Sequence, residues 1–163
     1  ATIKDFEPLY IQRIAQLTNK SNQFNLTTLR CSEYDIRAMA ADADALCLCG
    51  KLVDKFGDNG IVTVVAGKRQ GDLLDLTLWL MSCRVLKRGM EDAMMDTLMA
   101  QAAAAGVKTV VGHYYPTAKN AMVRDFYAQF GFAKTAEDAE GNTEWRLEVS
   151  GYEPKHPHMK IER

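Results

Sequence analysis

Two side chains that could perform acyl chemistry stand at the ends of neighbouring predicted strands. Cys83 closes an alternating apolar stretch directly before Arg84, and His113 closes the next β-branched stretch. The positive charge of Arg84 favours the thiolate, which could hold an acyl group covalently, and an imidazole could serve as the base. The alternation also puts Cys83 on the face of Trp79 and Met81. We therefore predict a buried, inert thiol and a structural histidine, with the reactive pair as the alternative.

A second candidate site is the junction between that strand and the next predicted helix, in residues 83–91 (CRVLKRGME). A helix N-terminus presents unpaired N–H groups and a positive dipole end, so a phosphate can bind there if the backbone is approached closely. The candidate contacts are Val85, Leu86, Lys87, Arg88 and Gly89. Glu91 and Asp92 would compete with a bound anion, so a capped helix without a ligand is the alternative.

The remaining polar groups favour structural interpretations. Asp42 and Asp44 follow a helix-like stretch rather than a buried strand, so we interpret them as loop residues and not as a phosphatase pair. The pair His156 and His158 lies in a polar tail, where we expect no metal site. The other cysteines lack the spacing of a zinc site, and two of them alternate along a predicted strand; they are Cys31, Cys47 and Cys49.

Hydrophobic periodicity gives the element order β-α-α-β-β-β-α-β-α-β-β. The predicted helices cover residues 8–17, a short segment capped by Ser32, a methionine-striped segment from Met90 that Gly106 ends, and residues 118–130. The predicted strands cover residues 2–6, 46–53, 61–66, 74–83 and 108–113, with two more on either side of residues 140–142. Turns are predicted at residues 57–60 and 67–71, because both are rich in glycine.

Length and charge restrict the classes of protein that remain. The 163 residues suit one domain with a single sizeable core, so we predict one domain over 1–163. A formal net charge of −1 gives no global basic field for nucleic acid, and no apolar run approaches the roughly 20 residues of a membrane span. We expect a cytoplasmic protein. The start at Ala1 suggests a fragment of a longer chain.

The segment 120–132 (NAMVRDFYAQFGF) places Tyr127 seven residues after Asn120 and just before Gly-Phe. Together with the strand order and the 83–91 junction, this pattern resembles the GNAT acyltransferases. The resemblance implies an α/β (α+β) fold with a central, mixed but mostly antiparallel sheet flanked by helices. It implies that Tyr127 protonates the leaving thiolate and that Asn120 holds the carrier arm. The alternatives are a core tyrosine and a helix-start residue.

Four strings narrow the resemblance to the C-terminal region of FkbH-like proteins. They are AQLTNKSNQFNLTT (15–28), KFGDNG (55–60), WLMSCRVL (79–86) and PTAKN (116–120). The resemblance implies an N-terminal haloacid-dehalogenase-like domain in the same polypeptide. It also implies loading of a glyceryl unit, made from a glycolytic bisphosphoglycerate, onto an acyl carrier protein for polyketide-type biosynthesis.

The GNAT diphosphate pattern is incomplete in this chain. The pattern is Gln or Arg, two residues, Gly, one residue, and Gly or Ala. Aligning it on Gly89 puts Leu86 at the first position and Glu91 at the last, so only the middle glycine and the flanking Lys87 and Arg88 survive. We therefore expect the phosphopantetheine of acyl carrier protein, rather than coenzyme A or acetyl-CoA, to be the bound group. Asn22 and Asn25 are the best candidates for contacting a polyol acyl group. The cations that could receive an acidic carrier protein are Lys87, Arg88, Lys119 and Arg124.

Three functions remain open at this point. The first is an acyltransferase that moves a glyceryl or related acyl unit to an acyl carrier protein thiol. The second is an acetyl-CoA-dependent N- or O-acetyltransferase. The third is a non-catalytic domain that docks a carrier protein. The first two require Tyr127 or Cys83 for turnover, whereas the third does not.

Overall fold

The structure is a computed structural model that describes residues 1–54, 57–85, 89–157 and 159–163. The strands in these ranges are β1 Thr2–Lys4, β2 Ala45–Asp54, β3 Gly57–Gln70, β4 Leu73–Met81, β5 Thr109–Tyr114, β6 Ala133–Glu137 and β7 Thr143–Glu148. The α-helices are α1 Ile11–Lys20, α2 Glu33–Ala41 and α3 Met90–Ala104. Short 3-10 helices cover Pro8–Tyr10, Cys83–Val85, Ala121–Val123, Tyr127–Phe130 and Val149–Gly151.

The seven described strands form one sheet in the order β1-β2-β3-β4-β5-β7-β6. Every neighbouring pair is antiparallel except β4 with β5, which is parallel. The parallel pair follows from the connection, because α3 carries the chain back to the starting end of β4 before β5 begins. The sheet is therefore mixed but mostly antiparallel, as predicted.

Helices cover both faces of the sheet and enclose two hydrophobic cores. The methionines of α3 pack on one face with Leu46 and Leu48 of β2. Ile14 of α1 and Ile36 of α2 pack on the other face with Cys49. The alternation predicted for β2 is confirmed, since successive strand residues face opposite cores. The methionine stripe is also confirmed as core packing, because an unbranched thioether fills irregular gaps.

A β-bulge in β4 changes the alternation that the sequence indicates. Ala66 pairs with Leu78 but Gly67 pairs with Leu76, so one residue of β4 is extra at this point. An extra residue reverses the faces that follow it. Leu76 therefore packs in the α3 core and Leu78 in the α1–α2 core. The alternation that the sequence indicates over residues 74–83 is therefore interrupted, and these two leucines lie on opposite faces.

Some element bounds also differ from the prediction. Gly57 and Asp58 pair with the end of β2, so the turn predicted at 57–60 was wrong; residues 55 and 56 lie outside the described residues. The turn predicted at 67–71 begins later, because Gly67 to Gln70 still pair with β4 and Gly71, at φ 64°, starts the turn. By contrast, the capping box of Ser32 and Asp35 confirms the start of α2.

The helix predicted over 118–130 was wrong, since two 3-10 turns occupy this segment. Backbone N–H groups here bond three residues back, as from Phe126 to Val123. Four hydrophobic side chains of the segment are buried, namely Val123, Phe126, Tyr127 and Phe130. The tighter turns accommodate the adjacent rings of Phe126 and Tyr127 against the sheet, where each lies edge-on to Trp79.

The last residues fold back over the molecule. Asp96 of α3 accepts hydrogen bonds from the Tyr152 hydroxyl and from the backbone N–H groups of Lys155 and His156. Glu162 then forms a parallel bridge with Thr2 beside β1. His158 lies outside the described residues. Within the described chain, none of the helices has the length and apolar character needed to cross a membrane.

Candidate active site

The main cleft of the sheet lies between the C-terminal halves of β4 and β5. The two strands pair only over Leu73–Asp75 and Thr109–Val111. Beyond this point β4 stays with β3 as far as Met81, while β5 stays with β7 as far as Tyr114. Where two neighbouring strands separate, the backbone N–H and C=O groups on their facing edges need other hydrogen-bond partners. We call this gap the β4–β5 cleft.

A short extended segment of the chain, residues 24–27, fills this cleft. The Leu26 N–H donates to Trp79 O at 3.0 Å, and the Met81 N–H donates to Phe24 O at 3.0 Å. On the other side, the Tyr115 N–H donates to Leu26 O at 2.8 Å. Residues 24–27 therefore act as a strand between β4 and the end of β5. We call them the cleft segment.

Asn120 fastens the cleft segment to the end of β5. Its Nδ2 donates to Asn25 O at 3.0 Å and to Tyr115 O at 2.9 Å. Its Oδ1 accepts from the Thr117 N–H at 2.8 Å and from the Tyr114 hydroxyl at 3.3 Å. The side chain is fully buried. In this arrangement the amide binds the chain itself, and it becomes available to a carrier arm only when the cleft segment moves.

Tyr127 lies under the cleft on the α3 face of the sheet. It is 2% exposed, and its ring packs against Gly112 so closely that a Cβ there would stand 2.6 Å from Cε1. Burial, with the negative charge of Asp75 as the second cause, raises the pKa of Tyr127 above its usual range. No hydrogen bond to its hydroxyl is found among the described residues. The phenol is therefore held protonated beside β5.

His113 lies on the opposite face of β5. Successive strand residues point to opposite faces, and the Cβ direction of Gly112 leads to Tyr127. His113 Nε2 is 2.5 Å from Asp75 Oδ1, and both side chains are partly buried. A carboxylate that accepts from Nε2 leaves Nδ1 to accept a proton. Asp75 occupies the last paired position of β4, so this pair stands where the two strands begin to separate.

Trp79 supplies a buried donor next to these groups. Its indole Nε1 has no acceptor among the residues that the structure describes, and the side chain is 1% exposed. Its ring centroid is 6.4 Å from that of Tyr127. A buried N–H without an acceptor costs about 1–3 kcal/mol. Such a group marks a place where a bound molecule could provide the missing acceptor.

Besides the β4–β5 cleft, a cavity of about 690 Å³ lies at the end of β4, beside the end of α1. We call it the second cavity. Cys83 lines it and is exposed, with Sγ 3.1 Å from Gln23 Oε1. The prediction of a buried Cys83 was wrong, because β4 ends at Met81 and Cys83 begins a 3-10 helix. In the described chain, Cys83 and His113 have different hydrogen-bond partners and do not form a thiol–imidazole pair.

The two asparagines predicted to bind substrate differ in their surroundings. Asn22 lines the cavity beside Cys83. Asn25 is fully buried, where its Nδ2 donates to Ser21 O and its Oδ1 accepts from the Thr28 N–H. Asn25 therefore shapes the loop that carries the cleft segment, and it does not reach this cavity.

The predicted phosphate site at the start of α3 is partly covered. Gly89 is the N-cap of α3 at φ 86°, and a Cβ there would stand 3.3 Å from Met159 Cε and 3.4 Å from Pro157 Cβ. Val85 is fully buried, so only its backbone could contact a ligand. The other predicted contacts, Leu86, Lys87 and Arg88, lie outside the described residues. Of the predicted basic patch, Lys119 and Arg124 are exposed.

Sequence reasoning missed several residues that complete the site. Asp75 is the one carboxylate within the apolar strand LLDLTLWLM. A single carboxylate in an apolar strand is a signal that could have identified it from the sequence. Gly112 interrupts a β-branched strand, and a strand glycine often marks a close approach. The cations Arg13 and Lys20 lie on α1 and reach the second cavity only through the fold.

Comparison with solved structures identifies the fold. Ard1 from Thermoplasma volcanium superposes with a TM-score of 0.71 at 17% identity, over 90% of this chain and 96% of that one. The ribosomal-protein-S18-alanine N-acetyltransferase from Escherichia coli superposes at 0.67 and 14%, over 90% and 92%. An aminoglycoside 6′-N-acetyltransferase complexed with coenzyme A superposes at 0.67 and 11%, over 90% and 96%.

These similarities show that the chain has the fold of the GNAT acetyltransferases, as its sequence predicted. The identities are too low to show more than the fold. At the level of sequence, neither a protein-family model nor a curated protein matches this chain.

Proposed function

We propose that this domain is an acyltransferase whose thioester lies in the β4–β5 cleft. The observation that carries the proposal is the arrangement of Tyr127 and the His113–Asp75 pair on opposite faces of β5. A thioester that enters between two strands is then flanked by a proton donor on one side and a proton acceptor on the other. General acid–base chemistry needs this arrangement.

A pantetheine arm could bind along the edge of β4 that faces the β4–β5 cleft. Trp79 O and Met81 N already bond an extended backbone, and an arm that contains amides could make the same two bonds. Binding then requires the cleft segment to withdraw. When bound, a pantetheine thioester supplies an activated acyl carbonyl and a sulfur leaving group. The diphosphate of coenzyme A fits less well, because Pro157 and Met159 pack on Gly89 at the start of α3.

His113 and Tyr127 then carry out the two proton transfers of the reaction. His113, held through Nε2 by Asp75, takes the proton of the acceptor at Nδ1 as the acyl–acceptor bond forms. As the acyl–sulfur bond breaks, the Tyr127 hydroxyl donates a hydrogen bond and then its proton to the leaving sulfur. The raised pKa of Tyr127 keeps the phenol protonated at rest, but it also makes the phenol a weaker acid, so the proton passes only as the thiolate charge develops next to it.

The finer proposal is transfer of a glyceryl or related acyl unit from a thioester donor to the phosphopantetheine thiol of an acyl carrier protein. The carrier thiol is then the acceptor that gives its proton to His113, and the sulfur of the donor is the leaving group that Tyr127 protonates. Resemblance to FkbH-like proteins supports this choice, as does the packed start of α3. On this proposal, the remaining partner is a haloacid-dehalogenase-like domain of the same polypeptide. Exposed cations such as Lys119 and Arg124 could receive the acidic carrier.

The second candidate is an acetyl-CoA-dependent acetyltransferase. The superposed aminoglycoside 6′-N-acetyltransferase is complexed with coenzyme A, and this observation favours it. The third candidate, a docking domain without catalysis, is favoured by the cleft segment, which fills the position that the thioester requires.

Substitution of Tyr127 tests whether the domain is catalytic. We expect Tyr127→Phe to slow acyl transfer by about 100-fold or more, because it removes the proton donor but keeps the ring. Transfer should be measured from a glyceryl thioester to holo acyl carrier protein and, separately, from acetyl-CoA to an amine acceptor, which separates the first two candidates. Tyr34→Phe, on the exposed face of α2, is the matched control. Full activity in folded Tyr127→Phe would exclude the proposed role of Tyr127.

A further inference from the structure

The cavity beside Cys83 collects cations from three parts of the chain. Arg13 and Lys20 come from α1, Arg84 from the 3-10 helix after β4, and Lys119 from the segment after β5. Among the described residues, its lining contains no Asp or Glu. None of these four cations forms an ion pair within the part of the chain that the structure describes. We call them the cavity cations.

Two of the cavity cations, Arg13 and Arg84, repel each other. The pKa of Arg13 is lowered, first by burial and second by the positive charge of Arg84. Other exposed cations of the chain do have partners, as Arg37 has Glu33 and Lys134 has Glu137. Converging cations without a counter-charge raise the free energy of the folded protein, and a bound anion removes that cost.

Neutral groups in the same cavity offer hydrogen bonds to an anion. Arg30 holds the loop by donating to Ser21 O at 2.8 Å and to Asn22 Oδ1 at 2.6 Å. Because Oδ1 of Asn22 accepts from Arg30, the Nδ2 donors of this amide are the groups that it can offer to an anion. The hydroxyl of Ser82 and the amide of Gln23 also line the cavity. Positive charge together with N–H and O–H donors is the combination that phosphate oxygens require.

We propose that this cavity binds a phosphate ester. Four positive charges match a dianion better than a monoanion, and about 690 Å³ leaves space for the organic part of the ester next to the Cys83 thiol. The phosphate could belong to a pantetheine arm or to a small phosphorylated substrate. The inference rests on the cavity cations alone and does not require the proposed acyl transfer.

Alkylation of Cys83 provides a probe inside the cavity. Burial raises the pKa of the other thiols, to about 11 for Cys31 and about 12 for Cys47 and Cys49, so these thiols should react slowly. The rate with anionic iodoacetate, divided by the rate with neutral iodoacetamide, reports the local charge. We expect this ratio to fall about tenfold in Arg13→Gln/Arg84→Gln at low salt. Arg37→Gln on α2 is the control and should leave the ratio unchanged.

Ligand protection then identifies the source of the phosphate. Inorganic phosphate should protect Cys83 from iodoacetamide in a saturable manner, and the double variant should lose this protection. Stronger protection by phosphopantetheine than by inorganic phosphate would assign the site to the carrier arm. Equal protection by the two would assign it to a small phosphorylated substrate. An unchanged alkylation ratio in the double variant, or equal protection by unphosphorylated pantetheine and phosphopantetheine, would overturn the proposal.

Discussion

At the scale of single residues, the site depends on a contact that sequence spacing could not show. The interval from Asn120 to Tyr127 singled out the tyrosine, but its burial depends on Gly112, which leaves room for the ring. The pairing of His113 with Asp75 likewise depends on the register of two strands that are separated by α3. Sequence periodicity identifies strands, whereas register across a long connection needs the folded sheet.

Substitution of Gly112 tests this contact. A Cβ at Gly112 would lie 2.6 Å from Cε1 of Tyr127. This distance is well below the roughly 3.5–4.0 Å at which nonbonded carbon atoms pack. We expect Gly112→Ala to lower the free energy of unfolding by about 1–3 kcal/mol, measured by urea denaturation. Gly151→Ala is the matched control, because nothing lies within 4 Å of the added methyl. Unchanged stability in Gly112→Ala would show that Tyr127 does not pack on this residue.

At the scale of elements, the cleft segment is the feature that the sequence concealed. Residues 18–28 belong to no predicted helix or strand, and Asn22 and Asn25 are predicted there as substrate contacts, yet Phe24 and Leu26 are buried at alternate positions. Two apolar residues among the nine polar residues of this stretch are too few to give a strand signal. The bulge in β4 was concealed for a related reason, because Leu74 to Leu80 alternate without any mark at the extra residue.

Removal of the Asn120 amide should loosen the cleft segment. Asn120→Ala deletes the hydrogen bonds to Asn25 O and Tyr115 O, which leaves both carbonyls without this donor. We expect the Leu26 amide to exchange with solvent roughly tenfold faster or more. Leu98 in α3 is the internal reference. Asn142→Ala, in an exposed turn, is the control variant. Equal exchange of Leu26 in both variants would mean that Asn120 does not hold the segment.

At the scale of the whole molecule, the order of the strands along the chain was predictable from the sequence. The way in which the C-terminal tail covers the start of α3 was not. Turn residues and periodicity gave most strands and two of the α-helices near their observed bounds. The tail has a polar composition, and the sequence predicts no helix or strand in it. It is ordered by contacts from distant positions, such as Asp96 with Tyr152 and Thr2 with Glu162. These contacts place Pro157 and Met159 over the start of α3.

The central claim is that a pantetheine arm replaces the cleft segment between β4 and β5. The most direct measurement is amide hydrogen exchange of Leu26 and Met81 while the domain is titrated with S-acetyl pantetheine. The Leu26 N–H should lose protection, because its acceptor Trp79 O passes to the arm, while the Met81 N–H should stay protected by the arm in place of Phe24 O. Unchanged protection of both amides at saturation would contradict the account and favour a domain that docks a carrier without binding its thioester.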